Sequence, residues 1–226
     1  MIRRKGRLLS AALLSGLFWI SCASAPPQKK TTDRQAEQYF RLAQANFAEG
    51  KNQEAIQNLK KSVELNPKDA DVHAYLGVVY LLLSDFLQAE KELEQALKLN
   101  PYLTDARNSL GAVQMKTGRP EEARATFEEA LKDKTYPSPE KVLYNLGTLH
   151  LDAKRYPEAL DAFRRAVAAN SNYARGYFGL GRVFAETGKG EDARTNFRKA
   201  IALDPKSPEA DRARDYLAQN PAPGKG

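Results

Sequence analysis

The chain has 226 residues dominated by Ala, Leu, Lys, Glu and Arg, with only 14 Gly and 12 Pro, a composition that argues for an all-α protein. Its net charge of +7 suggests a nucleic-acid partner, but Arg3, Arg4, Lys5 and Arg7 all precede the first apolar run. Beyond residue 21 there are 31 basic and 28 acidic side chains, interspersed and without a basic stripe, which excludes a phosphate-tracking surface.

In chain order, residues 1–21 read as an export signal. A cationic start leads into the apolar run Leu8 to Ile20, and the small residues Ser21 to Ala25 follow. A membrane-spanning helix needs about 20 apolar residues, so this run is too short to remain as an anchor. The lone cysteine, Cys22, comes directly after it. The segment resembles a bacterial lipobox, with Trp19 where that motif usually has Leu. The resemblance implies a diacylglyceryl thioether on Cys22 and cleavage before it, and Ala23 in the following position implies sorting to the outer membrane. The alternative is a cysteine lying incidentally in a signal cut after Ala23 or Ala25. Each buried acyl methylene contributes about 0.8 kcal/mol, so two or three chains would hold the protein firmly on the periplasmic face. Residues 22–34 then form the acylated cysteine and a polar, flexible tether.

From residue 35 onward the sequence repeats itself. Leu76-Gly77, Leu110-Gly111, Leu146-Gly147 and Leu180-Gly181 recur 34, 36 and 34 residues apart, with Pro67, Pro101 and Pro205 closing units in the same frame. Leu42-Ala43 opens an additional copy in which Ala stands for Gly. Within each copy one helix carries the small residue, and a second carries Ala and Leu or Phe at helical spacing, as Ala89, Leu93 and Ala96 do. The period and these positions resemble the tetratricopeptide repeat. That resemblance implies a right-handed α-solenoid of five repeats over 35–207. Residues 208–220 are expected as a polar capping helix, or the first half of a decayed sixth repeat, before a disordered tail at 221–226.

In that family the concave wall is built from first helices, and ligands meet a fixed set of positions on them. Carried onto this sequence, those positions include Phe40, Gln44, Phe47, Val78, Leu81, Asn108, Met115, Tyr144, Leu151, Phe178 and Arg182. The set is largely apolar and suits an amphipathic helix or extended segment of another protein. Taken one at a time, these residues are equally compatible with packing between repeats. A catalytic role is not expected. His73 and His150 are the only histidines, no HExxH or phosphate-cradling loop is present, and no cysteine remains for a metal after Cys22. The covalent lipid is the only prosthetic group expected, with no small-molecule substrate.

The third and fourth repeats are separated by two extra residues, in a linker that reads Thr135-Tyr136-Pro137-Ser138-Pro139. With the lipobox, this linker resembles the type IV pilus biogenesis lipoproteins of the pilotin family, PilF, PilW and Tgl. The resemblance implies an outer-membrane lipoprotein that binds secretin subunits and promotes their localisation and assembly. A repeat scaffold serving another envelope machine is the alternative.

Overall fold

The computed structural model describes residues 31–221. The export signal, Cys22 and the tether as far as residue 30 lie outside the described residues. Eleven helices follow one another: α1 (Thr31–Ala48), α2 (Asn52–Leu65), α3 (Ala70–Leu82), α4 (Phe86–Leu99), α5 (Thr104–Lys116), α6 (Pro120–Ala130), α7 (Pro139–Asp152), α8 (Tyr156–Ala169), α9 (Ala174–Glu186), α10 (Gly190–Leu203) and α11 (Pro208–Gln219). The odd and even helices pair in sequence as five antiparallel hairpins, and α11 packs alone on α10 and α9. The chain is an all-α solenoid. Helix α1 begins four residues inside the stretch expected as tether, with Asp33 in its first turn where a carboxylate favours the positive end of the helix dipole.

Local chemistry sets the boundaries. Asp69 and Asp85 accept hydrogen bonds from the N–H groups of Val72 and Gln88, and Ser207 accepts one from Ala210, so each caps the helix that follows it. Pro120, Pro139 and Pro208 occupy first-turn positions where a missing N–H costs nothing. Every turn within a hairpin closes the same way. The N–H groups of Lys51, Asp85, Arg119, Arg155 and Lys189 reach back to the carbonyls of Asn46, Tyr80, Gln114, His150 and Phe184, around one left-handed residue. In two turns that residue is not glycine: Ser84 has φ 62° and Lys154 has φ 58°.

The repeated glycine gives the hairpins their closeness. A Cβ on Gly111 would lie 2.5 Å from the Phe127 ring, and one on Gly147 would lie 2.7 Å from the Phe163 ring. These rings, with Leu59, Leu76 and Leu93, are the largest fully buried side chains. Phe163 also enters the next repeat, because a Cβ on Gly179 would lie 2.5 Å from the same Cδ1–Cε1 ring edge. Apolar clusters follow one another along the stack, from Ala43 and Leu59 at one end to Phe178, Phe197 and Ala213 at the other. At the C-terminal end Tyr216 of α11 stacks on Phe197 at 4.7 Å.

The inserted linker is a staple. Helix α6 has 11 residues where the other second helices have 14, so the chain leaves it early and crosses to α7 by a longer route. Tyr136 is buried, and its hydroxyl donates to Asp105 in the first turn of α5. Thr104 Oγ1 donates to Asp133 at 2.8 Å, and Thr135 donates to the same carboxylate through both N–H and Oγ1. The hydroxyls of Thr135 and Thr104 hold the Asp133 carboxyl below the usual carboxylate range. Burial, followed by the Asp105 carboxylate, pushes the Tyr136 phenol well up.

Candidate protein-binding groove

First helices touch across repeats: α3 meets α5, α5 meets α7, α7 meets α9, and α9 meets α11. The layer whose members touch is the inner side of the curve, so these helices form the concave wall. All eleven sequence-derived groove residues lie on this layer, but only some are open to a ligand.

In the N-terminal half the wall is apolar. Phe40 and Phe47 are half-buried and pack edge-on against Tyr75, at 5.5 and 6.3 Å between ring centres. Val78 and Leu81 are half-buried, Leu82 is 63% exposed, and Gln44 faces solvent. Met115 is half-buried at the middle of the wall, as is Asn108, which accepts a hydrogen bond from Asn145 at 2.9 Å.

The C-terminal half corrects the expectation of an apolar lining. Tyr144, Leu151 and Phe178 are buried, so they pack between repeats and do not present a face to a partner. Tyr144 stacks on Phe163 and Tyr173, and Phe178 stacks on Phe197. Arginines roof the two rings: Arg175 lies 4.8 Å above Tyr144 and Arg212 lies 4.9 Å above Phe178. Both guanidiniums pair with one carboxylate, Glu209, at 3.1 and 3.2 Å, and Glu209 is itself buried. Arg182 pairs with Asp152 at 3.5 Å. A cavity of about 460 Å³ opens here, and Lys116, Asn145 and Thr148 join these charged side chains in lining it.

Arg175, Glu209 and Arg212 were not among the sequence-derived residues. Arg175 directly follows the first residue of the fifth repeat, at a position the same frame marks for ligand contact. Arg212 occupies in α11 the place that Phe178 holds in α9. Carrying the frame into the capping helix would have found it.

The histidines lie apart from this cavity. His73 is buried, with Nδ1 2.6 Å from Glu92 and Nε2 3.2 Å from the Pro67 carbonyl, so both nitrogens serve packing. His150 borders an outer cleft of about 800 Å³ between α6 and α8, with Lys132, Glu158, Asp161 and Arg165. Its Nδ1 is buried without a hydrogen-bond partner, and burial holds its pKa below the ordinary value. Among the described residues no group of three His, Cys, Asp or Glu side chains is placed to hold a metal. No described helix is long and apolar enough to cross a membrane.

Stacked helical hairpins with an open inner wall define a protein-interaction scaffold of the tetratricopeptide class. Tetratricopeptide-repeat models match residues 36–84, 70–102, 102–171 and 144–208, and this chain is a tetratricopeptide-repeat protein. It is 29% identical over 143 residues to the type IV pilus assembly protein PilF of Pseudomonas aeruginosa, an alignment covering 63% of this chain and 57% of that protein. The crystal structure of PilW, described as a widely conserved type IV pilus biogenesis factor, superposes with a TM-score of 0.71 at 22% identity, over 81% of this chain and 91% of that one. A Pseudomonas aeruginosa PilF structure gives 0.68 at 24% identity, over 84% and 90%. The fold is shared more widely, since a MamA structure gives 0.60 at 17% identity, over 85% and 99%.

Proposed function

We propose that this chain is an outer-membrane lipoprotein, anchored through Cys22, that binds secretin subunits and promotes their localisation and assembly for type IV pilus biogenesis. The observation that carries the reading is the sequence identity with PilF across 143 residues. It is supported by the lipobox-like segment around Cys22 and by the apolar side chains left partly open in the N-terminal half of the inner wall. The reaction is one of binding alone. The apolar N-terminal half of the wall accepts a partner's hydrophobic side chains, and the solenoid holds that segment near the membrane. Deleting the gene should abolish heat-resistant secretin multimers in membrane fractions. Normal multimers with normal piliation would refute the proposal. Cys22→Ser should release the protein from the membrane fraction, and retention there would refute the anchor.

A second reading, a repeat lipoprotein serving another envelope machine, is favoured by the breadth of the fold, which MamA shares. Crosslinking from Gln44 and Leu82 in cells distinguishes the two, because it recovers either secretin or a different envelope protein.

A further inference from the structure

Two exposed apolar features serve neither the core nor the concave wall. One is the ring of Tyr102, 88% exposed in the loop between α4 and α5. The other is the turn between α3 and α4 with the start of α4, where Leu83 is exposed and Leu87 is 75% exposed. Because the hairpins are antiparallel, these features lie on opposite edges of the solenoid. The start of α1 and the loops between repeats fall on the Tyr102 edge, and the turns within hairpins fall on the Leu87 edge. The fold does not require an aromatic residue at 102. Asn100 closes this loop by accepting the Tyr102 N–H at 3.1 Å, and Asn170 closes its own loop on the N–H of Asn172 at 3.0 Å. The places that match Tyr102 in the other four-residue loops hold Lys68, Asn172 and Lys206.

A hollow of about 500 Å³ lies beside the Tyr102 ring, with Arg107, Lys132 and Lys134 on its walls against Glu129 and Asp133. Both carboxylates are already engaged, Glu129 with Lys132 at 2.6 Å and Asp133 with Thr104 and Thr135. Arg107 and Lys134 donate to the carbonyls of Pro101 and Leu131, and among the described residues neither forms an ion pair. An exposed tyrosine beside cations without a counter-charge suits the headgroup layer of a bilayer, where the ring sits between water and acyl chains and the cations meet phosphates. The length of chain between Cys22 and Thr31 selects this edge over the leucine turn. Nine residues reach at most about 32 Å, and an unstructured chain of that length averages about half as much. Helix α1 has 18 residues and is about 27 Å long. With the Leu87 edge on the membrane, Thr31 would stand that far above it and the connection would be nearly straight. With the Tyr102 edge on the membrane, Thr31 starts beside the surface.

We infer that the Tyr102 edge is a membrane-docking surface, with the ring at the headgroup level of the bilayer that holds the anchor and with Arg107 and Lys134 on lipid phosphates. The inference rests on the reading that Cys22 is acylated, and it goes beyond that reading because a lipid tether alone fixes no orientation. With this edge down, the helices stand upright on the membrane. The concave wall then opens sideways, along the bilayer, and the turns within hairpins point away from it.

Cleavage before Cys22 removes Trp19, the only tryptophan. Tyr102→Trp and Leu87→Trp therefore each give the mature protein a single indole, one on each edge, at positions exposed enough to accept it. The purified lipidated proteins are reconstituted in vesicles of about three parts brominated phosphatidylcholine to one of phosphatidylglycerol, with unbrominated vesicles as reference. The Tyr102→Trp emission should move to shorter wavelength and fall about twofold or more in brominated lipid, and the Leu87→Trp emission should not change. Equal Tyr102→Trp emission in both vesicle types overturns the inference, as does equal quenching of Leu87→Trp. A response of Tyr102→Trp to added secretin but not to brominated lipid assigns the edge to a protein and also overturns it. Lys134→Glu, combined with Tyr102→Trp, should lower the ratio of docked to free protein about fivefold, and an unchanged ratio overturns the place given to the cations. Flotation with the vesicles reports the anchor separately. Protein that does not float ends the anchor reading and this inference with it, whereas protein that floats without quenching ends this inference alone.

Discussion

Gly179→Ala gives the sharpest test of how successive repeats are locked together. A methyl group at 179 would lie 2.5 Å from Cδ1 and 2.8 Å from Cγ of Phe163, and closer still to Cε1. The ring is completely buried. It has no free side to turn towards, because Gly147 crowds the same edge from α7 at 2.7 Å. Relief requires α9 to move off α8, which also disturbs the contact where Gly176 packs against Val167. Overpacking of this kind costs about 1–3 kcal/mol, while alanine in place of glycine inside a helix stabilises by about 1 kcal/mol. The expected net loss is about 1–2 kcal/mol, taken towards the upper end because the ring is pinned. Urea unfolding followed by far-UV circular dichroism measures it. In a Phe163→Ala background Cγ and the ring are both gone, and the same substitution should become stabilising by about 1 kcal/mol. A Gly179→Ala protein about 1 kcal/mol more stable than its parent would refute the wedge, since helix propensity alone would then account for the result.

Tyr136→Phe removes the hydroxyl that ties the linker to Asp105. The loss should be about 1 kcal/mol, below the usual range for a hydrogen bond to a charged group, because Asp105 is well exposed. Equilibrium unfolding checks it. His150 resists protonation in the folded state because it is buried. The unfolded chain therefore takes up that proton first as pH falls below about 6.5, and stability declines with it. His150→Leu should flatten the stability profile between pH 7 and pH 5, measured as the difference from the parent. Ending the chain at Ser207 removes α11 and uncovers Phe178 and Phe197. That should cost about 3 kcal/mol or more and raise binding of a dye specific for exposed apolar surface.

The stacked hairpins were legible in the sequence because glycine, alanine and proline occupy places that only a close helix pair requires. Gly111 and Gly147 are small because Phe127 and Phe163 fill the space opposite them. The frame also located which helix each groove residue sits on. Their exposure was not legible, because it depends on the following repeat. Tyr144 and Phe178 occupy equivalent places, and both are covered by arginines from the next first helix, Arg175 and Arg212. A frame read one repeat at a time does not register that neighbour. The linker was legible as an insertion. Its role as a staple depended on Tyr136 turning inward, which spacing alone does not dictate.

Helix α11 is both the cover of the last apolar layer and one wall of the charged cavity. The ends of a stacked array open most readily, since an end unit has one neighbour instead of two. Any partner that contacts Arg212 would bind only while α11 is docked, so its binding would add free energy to the end helix of the stack. The same coupling runs in reverse, so release of α11 takes away one wall of the cavity. The C-terminal end of this solenoid is therefore the part whose docking a partner bound there would strengthen most.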